Sequence, residues 1–315
     1  MIRIGGVNID VSHPKAFASN LEAHNINMRY EYIFNDGFRS DGEVNWFINR
    51  FKLKSRADSI EEMADKVDIG FIQSCNWDKH IDQAMPFIQK GKPVFIDKPI
   101  VGSMKDIERI EKLVEEGARI LGSSSLRYSK EIKEFLSRPV EERGDIISIF
   151  GTSGVDEFNY SVHIVEAMSA LAGAKGKSCQ YIGKGTDGDN AKCEMYSIEY
   201  ENGIRGVYYS HIGKWQPFHI TVMTTKGTFS FVIDTNDLYR TLLEAICDYV
   251  ENRGNVFSDI YTLTNCTKVM LCGKKSRDEL NGAVVYLDDL TDDDKFDGYE
   301  FEKFYSRSQG IVYKD

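Results

Sequence analysis

Short apolar runs alternate with amphipathic helical patterns along the first 123 residues of the chain. The apolar runs predict strands at 2–7, 28–34, 67–73 and 93–96. The segments between them predict helices, one of which begins after Ser59 in a capping box that Glu62 completes. Buried strands joined by crossover helices form a parallel sheet, so we predict an α/β domain at residues 1–123.

Beyond residue 123 the strands become longer, and apolar and polar positions alternate along them. They are predicted at 146–150, 193–200, 204–212, 219–225 and 228–233. Glu201-Asn202-Gly203 predicts a type I′ hairpin, and Lys226-Gly227 predicts the next turn. Helices are predicted at 161–172, ended by Gly173, and at 238–251, ended by Gly254. These elements predict an α+β domain at 124–315 with an open, mostly antiparallel sheet.

The stretch from Leu287 to Asp294 is dense in aspartate. It lacks the spaced ligands of a calcium loop, so we interpret it as a solvated segment rather than a cation site. We expect it to lead into an exposed carboxy-terminal tail.

The composition of the chain restricts the kinds of molecule that it is expected to bind. The formal net charge of −10 disfavours nucleic acid and anionic membranes, which are bound chiefly through clustered Lys and Arg. The amino terminus has no signal-peptide pattern and no apolar run is long enough to span a bilayer, so we expect a cytoplasmic protein. The six cysteines form no CxxC pair, which favours reduced thiols over disulfides and predicts no metal site.

The strongest local signal for chemistry is Asp97-Lys98-Pro99 at the end of an apolar strand. Ligands bind at the carboxyl ends of strands in open α/β sheets, and proline restricts the conformation of the residue before it. A lysine fixed there can bind a nicotinamide cofactor and favour the alkoxide that develops as hydride leaves carbon. The alternative is a surface lysine in a turn.

Other polar residues follow the ends of the predicted strands. Asp36 stands where an acid binds the adenine-ribose 2′-hydroxyl, which favours NAD, whereas the nearby Arg39 leaves NADP open. Ser74, Cys75 and Asn76 are expected to border the cofactor ribose. His80 opens the next helix, either at the cofactor or in a packing or capping role.

Several of these residues resemble the motifs of the glucose-fructose oxidoreductase/inositol dehydrogenase/rhizopine-catabolism superfamily, which places an acid-Lys-Pro motif after an Asn…His loop. The resemblance extends to Arg127-Tyr128, and to Ser276-Arg277 followed by Gly282-Ala-Val-Val-Tyr-Leu, which look like the family's closing helix and strand. It implies a Rossmann-like first domain that binds NAD, and a second domain that binds a sugar-like substrate. It also implies a homodimer or homotetramer formed through the open sheet.

The resemblance assigns the remaining site residues. His163 matches the family's catalytic histidine, and Asn159 stands where the family has Asp. Tyr160 to Ala167 resembles a divergent branch in which an Asp-Thr-Ser-His-like turn replaces the Rossmann glycines. The corresponding turn here contains the expected cofactor contacts Asn8, Ile9, Asp10 and His13.

The sequence therefore predicts an NAD(P)-dependent oxidoreductase that interconverts a secondary hydroxyl and a ketone on a sugar, cyclitol or sugar acid. Lys98 polarises the oxygen, His163 exchanges the proton, and Arg127, Asn159 and Tyr160 bind the substrate. Trp215 either walls a sugar pocket or packs in a core or dimer contact. The missing glycines and Asn159 leave two alternatives: a non-catalytic ligand or cofactor sensor, and an enzyme that uses bound NAD transiently in an elimination through a keto sugar.

Overall fold

Two units divide the chain in the computed structural model, which describes residues 1–122, 124–186, 192–310 and 312–313. Unit 1 contains residues 1–123, 239–260 and 297–315, and unit 2 contains 124–238 and 261–296. The first division falls at the boundary predicted from the sequence, although Ser123 itself lies outside the described residues. The segments 239–260 and 297–315 belong to unit 1, whereas the sequence pattern had assigned them to the second domain.

The sheet of unit 1 has six strands in the order β3-β2-β1-β4-β5-β6, all paired in parallel. The strands are β1 (Ile2–Val7), β2 (Met28–Phe34), β3 (Ser55–Arg56), β4 (Ile69–Ile72), β5 (Val94–Ile96) and β6 (Ile120–Gly122). The chain order reverses between β1 and β4. The predicted Rossmann-like fold is confirmed, and this reversal marks the crevice at which such sheets bind ligands.

Helices join the strands of unit 1, and serine side chains cap several of them. They are α1 (His13–Ala23), α2 (Asp41–Phe51), α3 (Ile60–Lys66), α4 (His80–Ile88) and α5 (Met104–Glu115). Ser59 caps α3 by accepting the N–H of Glu62, as predicted. The expected return bond differs, because the Glu62 carboxylate accepts from the N–H of Asp58 instead of Ser59.

The sheet of unit 2 has seven strands in the order β12-β11-β7-β10-β9-β8-β13. They are β7 (Ile146–Val155), β8 (Gly176–Lys184), β9 (Lys192–Tyr200), β10 (Arg205–Ile212), β11 (His219–Thr224), β12 (Thr228–Val232) and β13 (Val285–Tyr286). Only the pairing of β7 with β10 is parallel among the described strand pairs. The mostly antiparallel sheet is confirmed. Strand β13 lies within the closing strand that the resemblance implied, while β8 extends the sheet beyond the predicted strands.

Four helices lie in unit 2: α6 (Lys130–Ser137), α7 (Val140–Arg143), α8 (Ser161–Ala172) and α10 (Ile260–Asp278). Helix α8 has the predicted bounds and ends at Gly173, whose φ of 63° is the left-handed conformation that favours glycine. The helix packs on β7 and β10 through glycines. A Cβ on Gly151 would lie 2.7 Å from Ile164 and one on Gly206 2.6 Å from Met168.

Two predicted turns differ in detail. The β9–β10 hairpin forms, but only Gly203 has positive φ, so it is not the type I′ turn that needs two such residues. Helix α9 (Leu238–Val250) ends before Asn252, whose φ is 57°, and not at Gly254. Asparagine is the residue besides glycine that adopts this conformation most readily.

The carboxy-terminal segment is not the exposed tail that the sequence predicted. Helix α11 (Gly298–Ser308) packs against unit 1, with the ring of Phe301 4.9 Å from that of Trp77. Tyr313 is only 3% exposed. The aspartate-rich segment before the helix is largely exposed as expected, except that Asp294 is buried and accepts a hydrogen bond from Lys275 at 2.8 Å.

Among the residues that the structure describes, no helix has the length and apolar character needed to cross a membrane. All six cysteines are free thiols, and five of them are buried.

Candidate functional site

Lys98 lies at the carboxyl end of β5, where the sequence predicted it. Its side chain is largely buried, and its backbone N–H donates to the Asp97 carboxylate at 2.8 Å. The peptide bond between Lys98 and Pro99 is cis. The other Asp97 oxygen lies 2.6 Å from Nδ1 of His13, the first residue of α1. Asp97 therefore links the end of β5 to the start of α1 and fixes the backbone from which Lys98 projects.

The charge state of Asp97 follows from the same contacts. Burial alone would raise the pKa of this carboxyl group, but the His13 ring and the charge and N–H of Lys98 hold the pKa below its usual value. Asp97 therefore stays ionised beside the backbone of Lys98.

His13 was predicted as a cofactor contact, and the structure gives it a bond to Asp97 instead. Its ring stacks on Phe17 at 5.6 Å between centroids and meets Tyr239 of α9 edge-on at 5.4 Å. Packing on two faces fixes the ring orientation. His13 is thus a positioning residue for Asp97 and the Lys98 backbone.

A polar network joins the ends of β1, β2 and β4 around Asn8, which has a φ of 64°. The Asn8 amide donates to Asp36 Oδ1 at 2.8 Å and to Ser74 Oγ at 2.9 Å, and its oxygen accepts the N–H of Asp36. Gln83 of α4 contacts both Ser74 and Asp36. The structure therefore brings together the predicted residues Asn8, Asp36 and Ser74, with Asp36 itself exposed.

Gln83 was not predicted as a site residue, although its spacing from His80 offered a signal. It lies three residues after His80 and is buried on the first turns of α4. A polar residue among the buried positions of an amphipathic helix indicates a hydrogen-bonded partner at the adjacent sheet edge.

Asp10 lies in the turn after β1 and is fully buried. One carboxylate oxygen accepts the N–H of Cys75 at 3.1 Å, and the other has no hydrogen-bond partner. The pKa of Asp10 is raised to about 6, because burial and the charge of Glu302 raise it by more than the Cys75 N–H lowers it. Gly37 packs against this carboxylate so closely that a Cβ there would overlap Oδ1.

Glu302 of α11 completes a cluster with Asp10 and Cys75, whose donor atoms all lie within 4.8 Å of one another. The Glu302 oxygens accept from Asn76 at 2.9 Å and from Lys79 at 3.2 Å. Burial and the nearby carboxylates raise the pKa of the Cys75 thiol, which keeps it protonated. The Glu302 carboxylate is therefore held in the cluster by a hydrogen bond from Asn76 and an ion pair with Lys79.

Arg39 is 5% exposed and bound within the protein. It donates twice to the backbone oxygen of Asp10, at 2.8 and 3.0 Å, and also to Glu43 and to the backbone oxygen of Gly310. The predicted residue Ile9 is buried, with its N–H donated to the side chain of Asn35. Neither residue presents a side chain to solvent.

His80 occupies the structural alternative that the sequence left open. It is 1% exposed, and its ring nitrogens lie 3.1 Å from the oxygen of Ile100 and 2.9 Å from that of Ser74. Burial lowers the pKa of this histidine, although the backbone oxygens oppose the effect. His80 ties the loop after β4 to the segment after Pro99.

The predicted substrate residues of unit 2 lie around the start of α8. Asp156 accepts the N–H groups of Phe158 and Tyr160 and, at 3.3 Å, the side-chain amide of Asn159. A carboxylate thus lies next to Asn159, the residue that stands where the resembled family has Asp. The signal was available, since Asp three residues before Asn is a common turn arrangement.

His163, on the first turn of α8, is 7% exposed. Its Nδ1 lies 2.5 Å from Oγ of Ser124, and the same hydroxyl accepts the N–H of Leu126 at 3.1 Å. The hydroxyl oxygen has two lone pairs, so it can accept from Leu126 and also from Nδ1–H of His163, in the tautomer whose Nε2 is unprotonated. Ser124 is thus a positioning residue that the sequence did not reveal.

Arg127 lies next to this pair. Its Nη1 donates to the backbone oxygen of Glu166 at 2.9 Å, and the N–H of Ser124 donates to the Glu166 carboxylate. The guanidinium is half-buried and makes no other hydrogen bond with the described residues.

Trp215 is 65% exposed on the loop beside Gly154 and is therefore not a core residue.

The fold and the polar strand ends define a protein of the Rossmann-fold class with a second, mixed-sheet unit. Residues 34–124 match the sequence model of the GFO_IDH_MocA family, described as an oxidoreductase family with an NAD-binding Rossmann fold. The matched segment contains Asp36, Asn76 and Asp97-Lys98-Pro99, so the resemblance stated from these residues is confirmed there. No curated protein matches the sequence.

Solved structures share the fold over nearly the whole chain. A probable dehydrogenase from Thermotoga maritima superposes with a TM-score of 0.78 at 13% identity, covering 92% of this chain and all of that one. Myo-inositol dehydrogenase from Lactobacillus casei, in complex with NAD(H) and myo-inositol, gives 0.76 at 12% identity over 91% and 96% of the two chains. Scyllo-inositol dehydrogenase from the same organism, with NAD(H) and scyllo-inositol, gives 0.73 at 16% identity over 91% and 99%.

Proposed function

We propose that this chain is an NAD-dependent oxidoreductase that interconverts a secondary hydroxyl and a ketone on a sugar, cyclitol or sugar acid. The observation that supports it most directly is the fixed Asp97-Lys98-Pro99 turn at the carboxyl end of β5, within the segment that matches an NAD-binding oxidoreductase family. The inositol dehydrogenases that share the fold supply the substrate class.

A dinucleotide with a free 2′-hydroxyl fits the donor and acceptor set of unit 1. The exposed Asp36 carboxylate, held by Asn8 and Gln83, is an acceptor suited to ribose hydroxyls. Helix α1 opens without a side-chain cap from Ser12, which leaves its first N–H groups for an anion. Arg39 is committed to Asp10, Glu43 and Gly310 and does not serve a 2′-phosphate, so NAD is preferred over NADP.

NAD, when bound, accepts the hydride that leaves the alcohol carbon. Lys98 stabilises the negative charge that develops on the substrate oxygen, because a fixed cation needs no reorganisation as the charge forms. Its backbone is held by Asp97, which His13 keeps ionised and oriented.

His163 exchanges the hydroxyl proton. Its Nδ1 is bound to Ser124, so Nε2 is the nitrogen that takes the proton during oxidation and returns it during reduction. Arg127, Asn159 and Tyr160 flank this end of α8 and bind substrate oxygens. The half-buried Arg127, with Nη2 not engaged by the described residues, suits a carboxylate or hydroxyl of the substrate.

The test is hydride transfer measured with NAD and a panel of cyclitols, sugars and sugar acids. Lys98→Met keeps the length of the side chain and removes its charge, so we expect kcat to fall by about 10²–10³-fold. Lys105→Met, which changes an exposed lysine of α5, is the matched control and should retain full activity. An active Lys98→Met enzyme with unchanged kcat would contradict the assignment.

A further inference from the structure

The last described residues of the chain, which we call the C-terminal segment (298–310 with 312 and 313), lie across the carboxyl edge of the sheet in unit 1. They contact the turns that follow β1, β2 and β4. These turns surround the reversal of strand order at which Rossmann-type sheets bind ligands. The segment therefore lies on the surface to which the proposed function assigns the dinucleotide.

Helix α11 holds the turn after β4. The ring of Phe301 packs on Trp77, the Glu302 carboxylate accepts from Asn76 and Lys79, and the N–H of Gly298 donates to Asp78. A Cβ on Gly298 would lie 2.4 Å from Oδ1 of Asn76, so the helix start approaches this turn as closely as a glycine allows.

The residues after α11 hold the turns after β1 and β2. The hydroxyl of Tyr313 donates to the backbone oxygen of Val11 at 2.5 Å, and its ring lies against Phe47 and the guanidinium of Arg39. Arg39 in turn joins the backbone oxygens of Asp10 and Gly310. Tyr313 is the most buried side chain of the segment and acts as its latch.

The negative charges around Asp10 make this arrangement unfavourable for binding a pyrophosphate. Glu302 places a carboxylate within 4.8 Å of the ligand atoms of Asp10 and Cys75, beside the turn that precedes α1. A pyrophosphate at the start of α1 adds further negative charge next to this pair, in a largely buried setting where screening is weak. Release of α11 removes Glu302 from the site.

We propose that the C-terminal segment is a self-bound cover of the dinucleotide site, latched by Tyr313, and that it must release before NAD binds. This inference rests on the proposed function. A helix of 11 residues is marginally stable without its packing partner, so it can detach while the sheet stays folded. The affinity for NAD is then reduced by the fraction of molecules in which the segment is released.

The test compares Tyr313→Ala with Phe304→Ala in the full chain. Phe304 is an aromatic residue of the same segment but is 64% exposed, so its loss leaves the latch intact. Tyr313→Phe, which removes only the hydroxyl bound to Val11, is a milder second variant. The measurements are the association rate of NAD by stopped flow and hydrogen–deuterium exchange over residues 298–310 with and without NAD.

We expect Tyr313→Ala to raise the NAD association rate about tenfold, Phe304→Ala to leave it unchanged, and NAD to accelerate exchange in the wild-type segment. Slower exchange on adding NAD, or an unchanged rate in a Tyr313→Ala protein whose segment exchanges freely, would overturn the cover and leave the proposed function standing. If neither the wild type nor Tyr313→Ala binds NAD, both proposals fail.

Discussion

At the residue scale, Asp10 shows how a buried carboxyl group couples stability to pH. Its pKa is about 6 in the folded protein, above the ordinary value of 3.8 for an aspartate, because burial disfavours the charged form. Below pH 4 the group is protonated in both states. Between pH 4 and 6 only the folded state holds the proton, so the stability that Asp10 contributes falls as pH rises through this window.

Asp10→Asn removes this ionisation and keeps an oxygen for the Cys75 N–H. We expect the substitution to be more stabilising at pH 8 than at pH 4. The change that it makes in the free energy of unfolding should differ between the two pH values by about 2–3 kcal/mol. Denaturant unfolding at the two pH values measures the difference, and Asp292→Asn at an exposed aspartate is the control. An equal effect of Asp10→Asn at both pH values would show that Asp10 is not protonated in the folded state.

Ser124 is a second residue whose role only the structure reveals. Ser124→Ala removes the hydroxyl that orients His163, so we expect kcat to fall about tenfold, part of the roughly 10²–10⁴-fold that general acid–base catalysis contributes. The limb of the pH–rate profile that reports His163 should move as well. Ser125→Ala, at the neighbouring buried serine, should change neither, and a profile identical to wild type in Ser124→Ala would remove Ser124 from the mechanism.

At the scale of elements, periodic segments were predictable and tertiary contacts were not. Strands β1 and β2 and helix α8 have the predicted bounds because apolar runs and the terminating Gly173 are local signals. The strand β8 and the docking of α11 were not predicted, because they depend on partners far away in sequence. The same holds within the site, where Lys98 was visible from its motif, whereas the bonds of His13 to Asp97 and of Ser124 to His163 join residues 84 and 39 positions apart.

The packing of α8 on its sheet can be tested through Gly151 of β7. A Cβ there would lie 2.7 Å from Ile164, a β-branched side chain in a fully buried position. We expect Gly151→Ala to lower the free energy of unfolding by about 1–3 kcal/mol. Gly227→Ala, at a turn glycine with open space around its Cα, should stay within about 0.5 kcal/mol, and an equally small effect of Gly151→Ala would contradict the close packing of α8.

At the scale of the whole molecule, the chain combines a segment that matches an NAD-binding oxidoreductase family with departures from the usual Rossmann pattern. A buried aspartate replaces the glycine-rich turn after β1, and the C-terminal segment lies over that turn. The sequence showed the first departure, because the glycines are missing from the printed residues. It gave no sign of the second, since the aromatic residues of α11 find their partners only in the folded sheet.

The central claim is that the carboxyl edge of the sheet in unit 1 binds NAD. Calorimetric titration of the cofactor-free, full-length protein with NAD, NADH, NADP and NADPH tests it most directly, with Tyr313→Ala titrated alongside. We predict saturable binding of NAD and NADH, with the phosphorylated forms at least about tenfold weaker because Asp36 repels a 2′-phosphate and Arg39 is already engaged. Absence of binding by all four dinucleotides in both proteins would contradict the account.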